Sequence, residues 1–273
     1  EVDDQFALAY ALLSPERLCM EAIYAAPFLN KRSTSALDGM EKSYAEILRL
    51  RTVIPGAESV PVFRGAGRFM DAAKLPVHSE AVADLITRGM QFTPENPLYI
   101  IALGAITNIA SALLLEPELA DRCVVIWLGG HPTHWSHTRE FNLWEDVSSA
   151  QVVLGSGVPL VLCPCFGVAS HLLTTTEDLK IHLTGKNTLC DMLIELFSAY
   201  RKDPFAWAKE IWDMLPVAWL VNPDVAPSKL AHTPHLSPDG HWAADYTTPL
   251  MREITYAHRN MVFADMYHKL PSF

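Results

Sequence analysis

The sequence has few of the features that mark membrane, secreted or nucleic-acid-binding proteins. No apolar run approaches the ~20 residues that a helix needs to cross a bilayer, and no signal-like segment opens the chain. Five cysteines form an odd set without paired C-x-x-C spacing, which disfavours a zinc knuckle or a disulfide framework. Positive charge is scarce, because 21 Lys and Arg stand against 31 Asp and Glu. We therefore expect a soluble, cytoplasmic protein that binds neither membrane nor nucleic acid.

Apolar material is plentiful: half of the 273 residues are hydrophobic and only 19% are charged, which suffices for a large core. Strand-length apolar runs alternate with helical segments along the first two thirds of the chain. The pattern predicts one α/β domain spanning 1–273, with a mostly parallel sheet covered by helices on both faces. The predicted strands lie at 18–25, 60–63, 98–103, 123–128 and 159–162. A β-like tail is predicted at 251–265.

Three histidines recur at every third residue after Gly129-Gly130, namely His131, His134 and His137. Imidazoles at this density can bind zinc or iron. Pro132 prevents a regular helix from presenting the three rings together. A transition-metal hydrolase and a polar loop that lines a pocket therefore both remain as interpretations of this segment.

Carboxylates at two distant places each precede an apolar helical segment. Asp3 and Asp4 open the chain before one such segment, and Asp213 stands ahead of another. One acid is enough to cap a helix, so the Asp-Asp pair suggests a further role. In an open α/β sheet, ligands bind at the carboxyl ends of the strands, where two further polar blocks are predicted. These blocks are Thr107-Asn108 and, after Gly129-Gly130, Glu140-Phe141-Asn142.

Taken in order, Asp-Asp, Gly-x-x-Thr-Asn, Gly-Gly followed by Glu-Phe-Asn, and a late Trp-Asp resemble the inosine/uridine-preferring nucleoside hydrolases. The resemblance spans residues 1 to about 221. It implies the Rossmann-like nucleoside hydrolase fold and hydrolysis of the N-glycosidic bond of ribonucleosides, with calcium bound at the strand ends. It also implies a small-molecule nucleoside as the partner and a homodimer or homotetramer as the assembly.

The resemblance assigns roles to individual residues of this sequence. The carboxylates of Asp4 and Asp213 and the backbone carbonyl of Thr107 would be calcium ligands. The residues that would contact ribose or base are Asp3, Asn30, His78, His134, Glu140, Asn142 and Trp212. Trp212 stands where many members have His, which indicates either a purine-leaning pocket or a core aromatic. His78 either faces the pocket or begins a helix, and His134 replaces an Asn that contacts the sugar in relatives.

One part of the family pattern has no counterpart here. The general base of the family is the second Asp of an opening D-x-D, and it would fall two residues before Glu1. We therefore expect the first strand to be missing, the chain to be N-terminally shortened, and hydrolysis by these 273 residues to be weak or absent. The catalytic base is thus unknown within the sequence. A non-catalytic ribose or nucleoside binder is the alternative.

Overall fold

A computed structural model describes residues 2–273 and places ten α-helices among them. None of these helices is both long enough and apolar enough to span a bilayer. The helices are α1 (Val2–Leu12), α2 (Ala36–Arg51), α3 (Glu80–Gly89), α4 (Thr107–Leu115), α5 (Phe141–Glu145), α6 (Val147–Gly155), α7 (Thr176–Leu183), α8 (Thr188–Ser198), α9 (Met214–Val221) and α10 (Arg259–Lys269).

Side-chain caps explain where several helices begin. Ser35, Ser79, Thr175 and Asn187 each have extended backbone and accept a hydrogen bond from the backbone N–H three residues later. Such caps satisfy amide groups that have no partner within the helix. They fix the starts of α2, α3, α7 and α8.

The strands form a central sheet and three short pairs. They are β1 (Ile23–Tyr24), β2 (Val62–Phe63), β3 (Leu98–Ala102), β4 (Cys123–Leu128), β5 (Leu160–Cys163), β6 (Leu173–Thr174), β7 (Lys209–Glu210), β8 (Ser228–His232), β9 (His235–Leu236), β10 (Trp242–Ala243) and β11 (Leu250–Ile254). The central sheet has the order β3-β4-β5-β11-β8, in which only β8 is antiparallel. The predicted mostly parallel α/β sheet is confirmed.

Side chains of β4 alternate between two cores on opposite faces of the sheet. Val125 and Trp127 join a core with residues of α3, α4 and α6, whereas Ile126 and Leu128 join a core with α1, α8, α9 and α10. All four side chains are at most 1% exposed. A strand with helices on both faces is apolar at every position, which is why this segment was readable from the sequence. Whether residues 1–273 fold as one cooperative domain stays a prediction.

The prediction of a β-like tail at 251–265 is wrong in its second half. Strand β11 ends at Ile254, and the helix α10 follows. Val262, Phe263 and Met266 have helical spacing and are buried in the core, so packing of one face decides for helix. The proline-rich stretch at 222–238, for which no strand was predicted, contains β8 and β9.

β1 and β3 each have an edge that no described strand pairs. β1 pairs only with β2, and β3 pairs only with β4. Residues of both β1 and β3 line one cavity of about 1040 Å³. Tyr99, the second residue of β3, lines this cavity and is 49% exposed. The described residues therefore leave a gap between the β1-β2 pair and the central sheet, and the predicted run at 18–25 is a strand only at Ile23–Tyr24.

Candidate active site

The cavity of about 1040 Å³ extends to the carboxyl ends of β3 and β4 and to the start of α1. Most of the site residues predicted from the sequence line it. They are Asp3, Asp4, Asn30, Glu140, Asn142, Trp212 and Asp213. Segments that are far apart in the sequence, from Asp3 to Val217, thus meet in one concave site.

Three carboxylates form a cluster in this cavity. Asp3 and Asp4 lie in the first turn of α1, and Asp213 directly precedes α9, which packs against α1. One oxygen of each carboxylate lies within 4.8 Å of the others. The side chain of Asp213 makes no capping hydrogen bond to α9, so its carboxylate is not occupied as a helix cap. The predicted proximity of Asp4 and Asp213 is present.

Burial makes this cluster costly to keep ionised. Asp3 and Asp213 are 5% and 3% exposed. Burial raises the pKa of Asp3 to about 6, an effect that Lys209 opposes and Asp4 adds to. Burial also raises the pKa of Asp213 well above its usual value, and the Asp4 and Asp3 carboxylates add to the rise. Crowded carboxylate oxygens favour a hard divalent cation, so the residues present fit a metal ion.

Lys209 is a site residue that sequence reasoning missed. Its Nζ lies 3.4 Å from Oδ1 of Asp3 and 4.9 Å from the centroid of the Tyr200 ring. Lys209 belongs to the short strand β7, which pairs with β6. No local sequence motif predicts a contact between Lys209 and an aspartate that lies 206 positions away in the sequence.

Backbone groups fix the Glu140 carboxylate. It caps α5 by accepting hydrogen bonds from Asn142 N (3.0 Å) and Leu143 N (3.2 Å), and it also accepts from Gly130 N (2.8 Å). Gly130 has φ +69°, and a Cβ there would lie 2.5 Å from Oγ1 of Thr138, so glycine is required. Burial raises the pKa of Glu140, and the three backbone donors oppose the rise. The carboxylate is therefore held in one orientation.

Asn142 joins the carboxyl ends of two central strands. Its Nδ2 donates to Leu103 O (3.1 Å) and to Leu128 O (3.0 Å), directly after β3 and at the end of β4. Since these bonds use both amide hydrogens, a contact with ribose would use the side-chain carbonyl oxygen. Asn142 thus shapes this edge of the sheet, and its predicted ribose contact stays a prediction.

Three predicted residues do not line the cavity. Thr107 is fully buried, and its hydroxyl donates to Oδ2 of Asp146 at 2.5 Å. Metal ligation by the backbone carbonyl of Thr107 stays a prediction. His78 is exposed, because the helix α3 begins after the Ser79 cap. His134 is also exposed, in the turn closed by the bond from Trp135 N to Pro132 O. The structure does not bring His78 or His134 to the ligand cavity.

The three histidines of the 131–137 segment do not form a metal cluster. His131 is 2% exposed and its ring centroid lies 5.5 Å from that of His137, whereas His134 is exposed. Among residues 2–273, the set of metal-ligating side chains that converges is the carboxylate cluster of Asp3, Asp4 and Asp213. The transition-metal interpretation therefore has no support in the geometry.

An aromatic wall stands beside the carboxylate cluster. Trp212 lines the cavity next to Asp213, and the exposed Phe166 packs edge-on against it at 5.3 Å between ring centroids. Edge-to-face pairs are a preferred aromatic geometry and restrain both rings. Trp212 is half-buried, since it lines the cavity and also packs against the core, and its contact with a purine base stays a prediction.

The raised pKa of Asp3 predicts a pH-dependent stability. The pKa of the Asp3 carboxyl is about 6 in the folded state, against an ordinary value of 3.8. This stabilisation is fully present at low pH and is lost as the pH rises through about 6. With a chelator present to remove divalent cations, we expect the titration of Asp3 to lower the free energy of unfolding by about 1 kcal/mol between pH 5 and pH 7.5. Urea unfolding at the two pH values measures the change.

The Asp3→Asn variant is the control for this prediction. Asparagine cannot ionise, so the variant should lack that part of the pH dependence while other titrating groups still contribute. An identical pH dependence in the parent chain and in Asp3→Asn would contradict the prediction.

Comparison with known proteins places this geometry in a family. The family model described as inosine-uridine preferring nucleoside hydrolase matches residues 1–262. The pyrimidine-specific ribonucleoside hydrolase RihA of Citrobacter koseri is 27% identical, over 82% of this chain and 77% of that protein. The non-specific ribonucleoside hydrolase RihC of Shigella flexneri is 30% identical over the same shares of the two chains.

Solved structures share the fold. A plant nucleoside hydrolase, the PpNRh1 enzyme, superposes with a TM-score of 0.79 at 18% identity, covering 100% of this chain and 96% of that chain. The purine-preferring ribonucleoside hydrolase from Gardnerella vaginalis gives a TM-score of 0.73 at 19% identity, covering 99% and 95%. From the family match over residues 1–262, the chain belongs to the inosine-uridine preferring nucleoside hydrolases.

Proposed function

We propose that this chain acts on ribonucleosides, and that its site assists attack of water on the N-glycosidic bond to give ribose and the free base. The observation that carries the proposal is the carboxylate cluster of Asp3, Asp4 and Asp213 in the cavity that Glu140 and Asn142 also line. The names of RihA and RihC describe both proteins as ribonucleoside hydrolases. Our proposal extends this activity to the present chain.

Calcium is the cation that we propose for the carboxylate cluster. Calcium takes six to eight oxygen ligands, and carboxylates, backbone carbonyls, water and sugar hydroxyls are all suitable. Asp4, Asp213 and the carbonyl of Thr107 would hold it. When bound, it would supply positive charge that makes a neighbouring water more acidic and attracts ribose hydroxyls.

The side chains around the cluster would orient the sugar. Asp3, Asn30, Glu140 and Asn142 offer oxygen and amide groups to the ribose hydroxyls. As the bond to the base breaks, positive charge develops on the ribosyl ring, and fixed carboxylates such as Glu140 stabilise it. The backbone bonds that hold Glu140 mean that little reorganisation is needed for this task. Trp212 would lie against the leaving base.

We further propose that the gap between β1 and β3 takes one parallel strand from residues that precede Glu1. In a β-α-β unit, the first strand leads at its carboxyl end into the helix, and α1 begins at this edge of the sheet, beside the carboxylate cluster. α1 in turn leads to β1, on the other side of the gap. Such a strand would bring the general base to the site.

An assay with inosine and uridine tests the proposed function. The 273-residue chain with calcium should bind both nucleosides, and free base and reducing sugar should form slowly or not at all. A chain that also carries the preceding strand should release base and ribose in equal amounts. If the extended chain binds nucleosides without turnover, the alternative of a non-catalytic binder is correct. If neither form binds nucleosides, the proposed function is wrong.

We propose a purine-leaning pocket because Trp212 presents an indole to the cavity. Stacking of a base on an aromatic side chain contributes about 1 to 3 kcal/mol, and the larger purine ring gains more overlap. Trp212→Ala should therefore weaken binding of inosine about tenfold more than binding of uridine, as measured by calorimetry. Trp207→Ala is a matched control, because Trp207 lines the cavity but packs on Phe197. An equal loss for both nucleosides in Trp212→Ala would end the stacking hypothesis.

A cytoplasmic location and a homodimer or homotetramer are also proposed. All five cysteines are free, and four of them are buried, as suits a reducing compartment. Ile181 and Phe205, which are 75% and 85% exposed, would gain from burial in an interface. Light scattering on the purified chain gives the mass of the assembly.

A further inference from the structure

Two cationic side chains share one aromatic ring on the wall of the ligand cavity. Cζ of Arg32 lies 4.3 Å from the centroid of the Tyr200 ring, and Nζ of Lys209 lies 4.9 Å from it. All three residues line the cavity that contains the carboxylate cluster. They come from the loop before α2, the segment just after α8 and the strand β7, so folding brings them together from three parts of the chain.

The other cations of the cavity wall are already neutralised. Lys42 pairs with Asp38 at 2.7 Å, Arg49 pairs with Glu46, and Arg88 pairs with Asp84 at 3.1 Å. These pairs hold each cation against its own or a neighbouring helix. Each of these cations thus already has a close carboxylate partner on a helix.

Arg32 and Lys209 differ from these pairs. Among residues 2–273, no ion pair within 4.0 Å is described for the Arg32 guanidinium, and the described contact of that group is with the ring of Tyr200. Lys209 has Asp3 as its carboxylate neighbour, at 3.4 Å, which is longer than the ~2.7 to 2.9 Å of a well-formed charged hydrogen bond. A divalent cation held by Asp4 and Asp213, whose oxygens lie within 4.8 Å of an Asp3 oxygen, would offset the negative charge of Asp3 and weaken its hold on the ammonium group.

We propose that Arg32 and Lys209 form a subsite for an anionic group, a carboxylate or a phosphate, on a ribosyl substrate. The proposal rests on the proposed action on ribonucleosides and names a substrate class for it. Arginine recognises carboxylate and phosphate through two parallel N–H bonds, and lysine acts as a point charge. The Tyr200 ring attracts both cations and so restrains them near each other.

Calorimetry with matched nucleosides tests the subsite on the 273-residue chain in the presence of calcium. The probes are uridine, uridine with a carboxylate on carbon 6 of its base, and uridine 5′-monophosphate. At least one anionic probe should bind about tenfold tighter than uridine, which corresponds to about 1.4 kcal/mol. The carboxylate probe and the phosphate probe show whether the subsite serves the base or the ribose. The preference should weaken in high salt.

Charge-removing variants localise the preference. Arg32→Gln and Lys209→Gln should each reduce the ratio of anionic to neutral affinity by at least about threefold, about 0.7 kcal/mol, and the double variant should remove the preference. Arg49→Gln is the matched control, because Arg49 is a cavity cation already paired with Glu46, and it should keep the preference.

The outcomes separate this subsite from the proposed function. If uridine binds and both anionic probes bind no tighter, the subsite is overturned while action on ribonucleosides stands. If the preference exists but survives in the Arg32 and Lys209 variants, or falls equally in Arg49→Gln, the subsite is also overturned. If none of the three probes binds, both proposals are wrong. An anionic probe that binds without uridine binding supports the subsite alone.

Discussion

Replacement of Asp213 by asparagine is expected to remove calcium binding and, in the N-terminally extended protein, to lower inosine hydrolysis at least about 1000-fold. The change keeps the shape of the side chain but removes one of the three clustered carboxylates, and Asp213 is 3% exposed. A loss of this size corresponds to about 4 kcal/mol of transition-state stabilisation. The same variant should be more stable than the parent chain in chelator, because the Asp213 carboxylate is desolvated and faces two like charges.

Thermal unfolding measures the cation part of this prediction. Calcium at about 100 times its dissociation constant should stabilise the parent chain by about 2.7 kcal/mol, or several degrees in Tm. Asp213→Asn should show no such rise. A rise of equal size in the variant would contradict the assignment of Asp213 as a ligand.

Asp146→Asn is the matched control for Asp213→Asn. Asp146 is equally buried, but its carboxylate caps α6 through Ser149 N and accepts from Met70 N and Thr107 Oγ1. Removal of that charge should destabilise the fold, since polar donors lose a charged acceptor. The response to calcium should persist. In chelator, Asp213→Asn should thus raise the free energy of unfolding, whereas Asp146→Asn should lower it. This difference in sign distinguishes a carboxylate that binds a ligand from one that stabilises the fold.

The sequence predicted the strands β4 and β5 of the central sheet well, because a strand buried on both faces is an apolar run. The apolar run at 123–128 coincides with β4, and the run at 98–103 differs from β3 by one residue. The tail failed because Val262, Phe263 and Met266 are apolar at spacings that fit a short β-like run as well as a helix. Packing of α10 against the core decides between strand and helix, and a local sequence pattern does not contain that information.

The residues of the candidate site could be predicted where they belong to sequence motifs, but not where only folding brings them together. Asp3, Asp4 and Asp213 were grouped through a family resemblance, and the geometry brings them within 4.8 Å. Lys209 escaped notice because its contact with Asp3 spans 206 positions. Phe166 escaped for the same reason, since nothing in its local sequence points to Trp212. Side chains that support a site through long-range packing leave no periodic signal.

A chain extended by the residues that precede Glu1 is expected to hydrolyse inosine at least about 100-fold faster than the 273-residue chain. A positioned general base contributes about 10² to 10⁴ in rate, and the parallel strand proposed for the gap would deliver it to the carboxylate cluster. The strand would also pair with the open edges of β1 and β3 and cover Tyr99. We therefore expect Tm to rise by at least about 5 °C in the extended chain.

Two variants of the extended chain separate the chemical effect from the structural one. Asparagine in place of the acid expected two residues before Glu1 should keep the rise in Tm and lose the gain in turnover, because the amide cannot accept the proton from water. Proline in the middle of the added segment should lose both, because it removes a hydrogen bond of the β ladder. An extended chain with the Tm and turnover of the 273-residue chain would show that this gap takes no strand. The cavity between β1 and β3 would then be a wide binding site without a general base, which is the property expected of a nucleoside binder.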